Sequence, residues 1–555
     1  MSMDDQATGT LLANVVDVAA RRIVAAQLRW HGGRISAVEA SGPAQPGLPY
    51  LLPGFVDAHV HIESSLLPPT EFARVAVCHG TVASVSDPHE IANVLGIDGV
   101  RWMLENAALT PFKIVFGAPS CVPATVFETS GAVIDANAVA ELLALPGVGY
   151  LSEVMNFPGV LSQDQALQPK ISAALRNGQP VDGHAPGLVG EQARRYADAG
   201  ISTDHECLSL AEAEDKIRAG MKILIREGSA ARQFDVLHPL LGRYPGQVML
   251  CTDDCHPDDL ATGHINVLVA RAIAQGHDLF HVLEAACLVP QRHYGLALGQ
   301  LRCGDPMTAV LVNDLRQFAV QSTWIDGYQV ARQGKSLLPK VNSAPINRFA
   351  AEPVRAENFV VSAKGASQRC RVIVAEDGQL FTRSTIETLP VVEGQLQNSV
   401  EDDLLWLAVV NRYQPAPPAL ALVRGFGLKC GALASSVAHD SHNVIAVGCD
   451  AQSLARAVNA VVASRGGLAI VNPDGVAETL DLPIAGLMSD QDGRAVAARY
   501  AGLNQIARQQ LGSPLRAPFM TLSFMALLVI PELKLSDRGL FDSTTFSFTE
   551  VTCSD

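Results

Sequence analysis

Between residues 52 and 298 the chain repeats one hydrophobic pattern. A short apolar run ends in polar residues, and a longer stretch rich in alanine and leucine follows it, as in residues 136–145 and 189–199. Such β-then-α units predict parallel strands joined by crossover helices. Eight units in about 250 residues are typical of a (β/α)8 barrel. The predicted strands cover residues 54–60, 82–86, 113–116, 149–152, 181–183, 201–204, 222–225 and 248–252.

On either side of this region, short apolar runs are broken by turn residues. Residues 11–51 contain such runs around a turn at Gly32 and Gly33, and residues 299–312 and 324–334 have the same pattern. Alternation around a glycine turn predicts antiparallel strands. The predicted fold class is therefore α/β, with a barrel over 52–298 inserted in a small β-sandwich domain formed by 1–51 and 299–340.

The last third of the chain mixes predicted strands and helices after an irregular stretch near residues 339–353. Apolar runs at 420–428, 444–448 and 468–471 alternate with a helical stretch at 451–463. We therefore expect a separate C-terminal mixed α/β domain over residues 354–555.

Charge narrows the class of partner. The net charge is −15, from 41 basic and 56 acidic residues, and no cluster of lysine and arginine stands out. This balance argues against nucleic acid or an anionic membrane as the main partner. A small-molecule substrate is the better expectation.

The cysteines and apolar segments indicate a cytoplasmic, unexported protein. Eleven cysteines are scattered without a CxxC pair, which is typical of a reducing compartment. Residues 1–13 lack a basic region followed by an apolar stretch. The most apolar run near the end, residues 517–530, contains Pro518 and is too short to span a bilayer.

Metal-ligand side chains follow the predicted strands, at the end where parallel barrels carry their active sites. His59 and His61 end strand one, and strand side chains alternate, so both imidazoles point to the same side. Each residue of this kind, taken singly, is more often a capping or hydrogen-bonded polar group. Four later strands nevertheless end in the same way, at Glu153, at His184, at His205 and at Asp253 with Asp254.

Two metal ions with a bridging carboxylate account for this set. His59, His61 and Asp253 would surround one ion, His184 and His205 the other, and Glu153 would lie between them. Water held between two cations loses a proton near neutral pH and becomes a nucleophile. Asp253 could take that proton and pass it to the leaving group, or it could be a ligand only.

The strand-one sequence LPGFVDAHVH at residues 52–61 is similar to the signature of the metal-dependent amidohydrolase superfamily. A narrower resemblance, to the adenine deaminase family, covers nearly the whole chain. The motifs that carry it are HIESS at 61–65, DPHE at 87–90, PSCVP at 119–123, SEVMN at 152–156, TDHE at 203–206, TDDCHP at 252–257, GFGLK at 425–429, VAHDSHN at 437–443 and LPIAGLMSD at 482–490.

The resemblance implies hydrolytic deamination of adenine to hypoxanthine and ammonia by a hydroxide that bridges two metal ions, with Asp253 as the proton shuttle. It implies two divalent ions, iron or manganese more than zinc, bridged by Glu153. Many relatives that cut cyclic amides instead use a carboxylated lysine on strand four, and residues 148–156 contain no lysine. A homo-oligomer, either a dimer or a tetramer, is the expectation for a barrel enzyme of this size.

The sequence leaves the roles of several further site residues open. Glu90 and Glu206 are expected to join Asp253 as catalytic residues, and His89, Asp254 and His439 are expected to bind substrate. Glu90, Glu206 and Asp254 are all candidates for the donor to a ring nitrogen, and each could equally be a salt-bridged loop residue. The run at 438–443 could close the adenine pocket, hold a further metal, or be a turn inside the last domain.

Two other functions compete with this hypothesis. The barrel could act on a related aminopurine, such as a methylated adenine. The chain could also be a catalytically silent scaffold in an assembly, which would require loss of metal ligands. All six ligand positions are filled in this sequence, which disfavours the scaffold.

Overall fold

A computed structural model describes residues 7–553 of the chain. Its first four strands form a small sheet in which β1 pairs antiparallel with β2, β2 pairs antiparallel with β3, and β4 lies parallel to β1. The predicted turn between β2 and β3 is present, and Gly32 and Gly33 have φ angles of 54° and 79°, a region that favours glycine. The strands are β1 Gly9–Asp17, β2 Arg22–His31, β3 Arg34–Pro43 and β4 Tyr50–Pro53.

Eight parallel strands then form a curled sheet. Strands β5 to β9 are hydrogen-bonded in sequence order, as are β10 to β12. Asp253 N donates to His59 O at 2.9 Å, and His61 N donates to Asp253 O at 3.1 Å, which joins the chain after β12 to β5. The strands are β5 Phe55–Val60, β6 Thr81–Ser86, β7 Lys113–Ala118, β8 Val148–Val154, β9 Val181–Gly183, β10 Thr203–Asp204, β11 Lys222–Arg226 and β12 Val248–Cys251.

Each of these strands begins and ends within two residues of its predicted bounds, because the strands are mostly buried and therefore stand out as apolar runs in the sequence. Helices lie between the strands, as the alternating pattern predicts. They are Pro69–Ala76, His89–Leu95, Ile97–Ala107, Ala136–Leu143, Phe157–Ser162, Gln168–Arg176, Gly190–Asp198, Leu210–Arg218, Phe234–Leu237, Leu240–Arg243, Pro257–Thr262, Ile265–Ala274, Leu279–Leu283 and Val289–Tyr294.

The chain returns to the first sheet after the parallel strands, so both flanks contribute to one eight-stranded sheet. Strand β13 pairs antiparallel with β4, and Trp30 packs edge-on against Trp324 at 6.3 Å. The segment 299–312, predicted to contain strand and turn, has its strand at residues 309–312. Asp305 Oδ2 accepts the amides of Gln300 and Arg302 and holds the earlier part of the segment as a turn. The strands are β13 Ala309–Val312, β14 Val320–Ile325, β15 Tyr328–Arg332 and β16 Lys335–Ser336.

The separate C-terminal domain contains a nine-stranded sheet and a three-stranded antiparallel sheet. The helix Ala451–Ser464 packs on the larger sheet through buried side chains such as Leu454 and Val461. Two further helices cover Gly493–Gln509 and Pro518–Phe524. The strands are β17 Ser367–Val374, β18 Arg383–Val392, β19 Gln395–Leu396, β20 Leu405–Val410, β21 Ala419–Arg424, β22 Ala432–Ser435, β23 Val444–Gly448, β24 Gly467–Val471, β25 Ala477–Asp481, β26 Leu533–Ser536, β27 Gly539–Asp542 and β28 Ser547–Phe548.

The C-terminal domain is bonded directly to the parallel-strand region. Ser489 N donates to Leu66 O at 2.8 Å, and the hydroxyl of Tyr500 contacts His256 Nδ1. Leu66 and His256 both follow the carboxyl ends of parallel strands, β5 and β12. The C-terminal domain therefore lies at the end of the sheet where the predicted ligands lie. None of the helices described is both long and apolar enough to cross a membrane. The eleven cysteines are all free thiols.

Candidate active site

The six predicted metal ligands come together around Glu153. Its carboxylate lies at the end of β8, where Oε2 is 3.0 Å from His184 Nδ1 and 2.9 Å from His205 Nε2. On the other side Oε1 is 3.7 Å from His61 Nε2, and Oε2 is 3.9 Å from His59 Nε2. Glu153 therefore faces both of the histidine pairs that the strand ends predicted.

Three of these residues form the first predicted ligand group. Asp253 Oδ1 is 2.9 Å from His61 Nε2 and 3.5 Å from His59 Nε2. The ligand atoms of His59, His61 and Asp253 all lie within 4.8 Å of one another, and so do those of His59, Glu153 and His205. Both ring nitrogens of His59 are buried and, among the described residues, have no hydrogen-bond partner. Buried imidazoles without partners are costly unless a ligand such as a metal ion occupies them, so the cluster fits metal binding.

The two carboxylates of the cluster are kept ionised. Burial alone would raise the pKa of Glu153, but His184 and His205 outweigh it and hold the pKa well below its usual range. Burial likewise opposes ionisation of Asp253, and there the Arg226 guanidinium, helped by His59 and His61, holds the pKa well below the usual value. Two buried anions close to four imidazoles form a suitable donor set for divalent cations.

His89 lies beside this cluster, as expected. Its Nδ1 is 3.3 Å from Glu153 Oε1 and 3.1 Å from Asp87 Oδ2. Its ring centroid is 4.6 Å from that of His61. The Asp87 carboxylate thus orients the imidazole, and the opposite nitrogen, Nε2, faces Asp440 at 3.8 Å.

Glu90 is bound by the segment 438–443 of the C-terminal domain. His439 Nδ1 is 2.5 Å from Glu90 Oε1, and His442 Nε2 contacts Glu90 Oε2. His442 N also donates to Ala438 O at 2.7 Å, so the segment is a turn as well. The segment therefore reaches the end of the parallel sheet, which agrees with a role in closing the pocket.

Asp254 and Glu206 complete the predicted residues, and both have polar partners. Ser64 Oγ donates to Asp254 Oδ1 at 2.5 Å. Arg226 Nη2 donates to Glu206 Oε2 at 3.1 Å, and Arg226 Nη1 contacts both Glu206 and Asp253. Arg226 was not among the residues predicted from the sequence, although it directly follows the predicted strand 222–225, where a polar residue is informative.

A pocket lies over the cluster. Its inner side is polar and comes mainly from the parallel-strand region, whereas its outer side is apolar and comes from the C-terminal domain. The ring of Phe524 stacks on His439 with centroids 5.1 Å apart. This wall was not predicted from the sequence, although most of its residues lie in the apolar run 517–530. The wall residues are Leu380, Phe524, Leu527, Val529 and Ile530.

Comparisons with known proteins agree with this site. Residues 50–330 match the amidohydrolase family, and residues 379–547 match the adenine deaminase C-terminal domain. An adenine deaminase from Sulfurovum sp. is 52% identical, over 97% of this chain and 98% of its own. One from Salinibacter ruber is 53% identical, over 98% of this chain and 99% of its own. One from Methanosarcina mazei is 47% identical, over 97% of this chain and 98% of its own. The chain therefore belongs to the adenine deaminase family of the amidohydrolases.

Proposed function

We propose that this chain is an enzyme that hydrolyses adenine to hypoxanthine and ammonia. The observation that carries the proposal is the cluster of six ligand-type residues around Glu153 beneath a pocket with an apolar wall. The flat faces of a purine ring suit such an apolar wall, and the reacting amino group suits the polar inner side. The full-length relatives named adenine deaminase favour adenine over a methylated adenine.

Two divalent ions are part of the proposal. His59, His61 and Asp253 would hold one ion, His184 and His205 the other, and Glu153 would contact both. When bound, such ions supply a hydroxide near neutral pH by lowering the pKa of water. Imidazole and carboxylate ligands are compatible with iron and manganese, which we expect in preference to zinc.

Asp253 is proposed to move the proton in this reaction. The oxygen of water bonds to the ring carbon that carries the amino group, the carbon–nitrogen bond breaks, and one proton of water leaves with the ammonia. An ionised carboxylate beside the nucleophile can accept that proton and deliver it to the amino group. The Arg226 guanidinium favours the ionised form and fixes the orientation of the Asp253 carboxylate.

The remaining pocket residues are proposed to bind and polarise the purine. Glu206 and Glu90 are the candidate catalytic groups that would act on the purine ring. His89, Asp254 and His439 are the candidate substrate-binding residues. All five line the pocket. Hydrogen bonds to ring nitrogens that strengthen as the ring loses aromaticity would accelerate addition of water.

We also propose the finer architecture that the sequence predicts. The parallel strands would form a closed (β/α)8 barrel over 52–298, set in a β-sandwich domain from 1–51 and 299–340, with the last domain over 354–555. The backbone bonds between Asp253 and the end of β5 support closure. We further expect a cytoplasmic homo-oligomer, a dimer or tetramer. The net charge of −15 argues against a nucleic-acid partner.

The decisive experiment is conversion of adenine by the purified, metal-replete protein, followed as hypoxanthine formed. We expect turnover by the wild type and a loss of at least about 100-fold in kcat for Glu153→Gln and Asp253→Asn. Glu141→Gln, at an exposed ion pair with Arg101, is the matched control and should behave as the wild type. Wild-type rates in both site variants would refute the site, and turnover of N6-methyladenine without turnover of adenine would refute the substrate.

A further inference from the structure

Lys534 is a fully buried lysine that the proposed reaction does not use. It lies on β26, and its amine donates to Leu380 O at 2.7 Å and to Phe524 O at 3.0 Å. These acceptors are neutral carbonyls, and burial lowers the pKa of the amine to about 7. A buried amine paired with carbonyls is a costly way to fill a core, so its contacts are informative.

Both acceptors belong to residues of the apolar pocket wall. Leu380 precedes β18, and Phe524 ends the helix Pro518–Phe524, so the two are far apart in sequence and meet only at this wall. Thr382 also joins these parts of the chain, because Thr382 N donates to Pro531 O, just after the wall residue Ile530, at 2.9 Å. Lys534 is a second tie, attached to the wall residues themselves.

We propose that Lys534 is a positioning residue that sets the spacing between Leu380 and Phe524 and thereby the width of the purine pocket. It touches neither substrate nor metal ligands and acts through the two carbonyls that it holds. The proposal deepens the proposed function and rests on it, since the wall matters only if a flat base lies against it.

The consequence is a specific kinetic signature. Loss of the tie should let the wall move without disturbing the cluster around Glu153, because that cluster comes from the parallel strands. Uniform binding of the base should weaken, which raises KM, while the chemical step keeps most of its rate.

The test compares three variants in metal-replete protein. Lys534→Met keeps the length of the side chain and removes the donor, and we expect KM for adenine to rise at least tenfold with kcat changed less than threefold. Lys534→Gln keeps a donor and should recover part of the loss. Val461→Ala, in the separate core under the helix Ala451–Ser464, is the control for general destabilisation and should keep the wild-type KM.

Hydrogen exchange provides a readout that does not depend on turnover. Backbone amides in residues 377–383 and 520–530 should exchange faster in Lys534→Met than in the wild type. In Val461→Ala their exchange rates should equal those of the wild type. Wild-type KM and exchange in Lys534→Met, or an equal rise of KM in Val461→Ala, would overturn the proposal. If the wild type did not convert adenine, the proposed function would fail, and the exchange result alone would still decide whether Lys534 holds the wall.

Discussion

The Arg226 guanidinium and the Asp253 carboxylate form a buried ion pair at the ends of neighbouring strands. Arg226 is the last residue of β11, and Asp253 comes two residues after β12 ends. The pair links the proposed proton carrier to a fixed cation. Because the same guanidinium also binds Glu206, two buried carboxylates depend on one side chain.

Replacement of Arg226 by methionine should therefore affect both stability and rate. Two buried carboxylates would lose their partner, a change that costs about 3–5 kcal/mol. We expect a lower thermal midpoint and a fall in kcat of about 100-fold, because Asp253 loses its orientation. Thermal unfolding and steady-state kinetics measure the two effects.

Arg101→Met is the control for that experiment. Its pair with Glu141 is exposed, with both side chains about half accessible, and such pairs contribute about 0–1 kcal/mol. A thermal midpoint of Arg226→Met that matched Arg101→Met would contradict the importance assigned to the buried pair.

Metal removal should destabilise the folded protein as well as stop turnover. The cluster places the carboxylates of Glu153 and Asp253 among buried imidazoles, and a ligand that binds only the folded state adds about 2.7 kcal/mol at 100 times its Kd. We expect chelation to lower the thermal midpoint and manganese to restore it.

Metal analysis should find about two ions per chain in the wild type and fewer in the double variant that combines His59→Ala and His61→Ala. An unchanged midpoint after complete chelation would argue against a resident metal centre.

The sequence was sufficient to predict the parallel strands and to place the candidate ligands at their ends. Buried parallel strands are short apolar runs, and parallel barrels carry their active sites at the carboxyl ends of the strands, so the polar residues after each run are the ones to inspect. His59, Glu153 and Asp253 could therefore be placed at one rim without coordinates. Their grouping around Glu153 follows from strand order alone.

The pocket wall could not be predicted in the same way. Leu380 and Phe524 are 144 positions apart in the sequence, and only the packing of the C-terminal domain brings them together. An apolar residue in a core and one in a pocket wall look alike in sequence, since both are buried. The contact of Glu90 with His439 is another long-range pairing that no local pattern indicates.

The segment 438–443 should control substrate binding through Glu90. His439→Ala removes one of the two imidazoles that hold the Glu90 carboxylate and also removes the ring against Phe524. We expect a rise in KM of at least tenfold, with metal content unchanged because His439 lies outside the six-residue cluster. Loss of metal in this variant, measured by elemental analysis, would instead place His439 among the ligands.

Lys534 should make stability depend on pH in a defined window. Its folded-state pKa is lowered to about 7 from the usual 10.5, so between these values the unfolded chain binds a proton that the folded chain does not. The stability contribution is complete above about pH 10.5 and is lost as pH falls towards 7, with a slope of up to about 1.4 kcal/mol per pH unit. The thermal midpoint of the wild type should therefore rise with pH relative to Lys534→Met across pH 7.5–9.5.

Lys113→Met, at a half-exposed pair with Asp326, controls for loss of a lysine. Parallel pH profiles for the wild type and Lys534→Met would show that the buried amine does not titrate in this window.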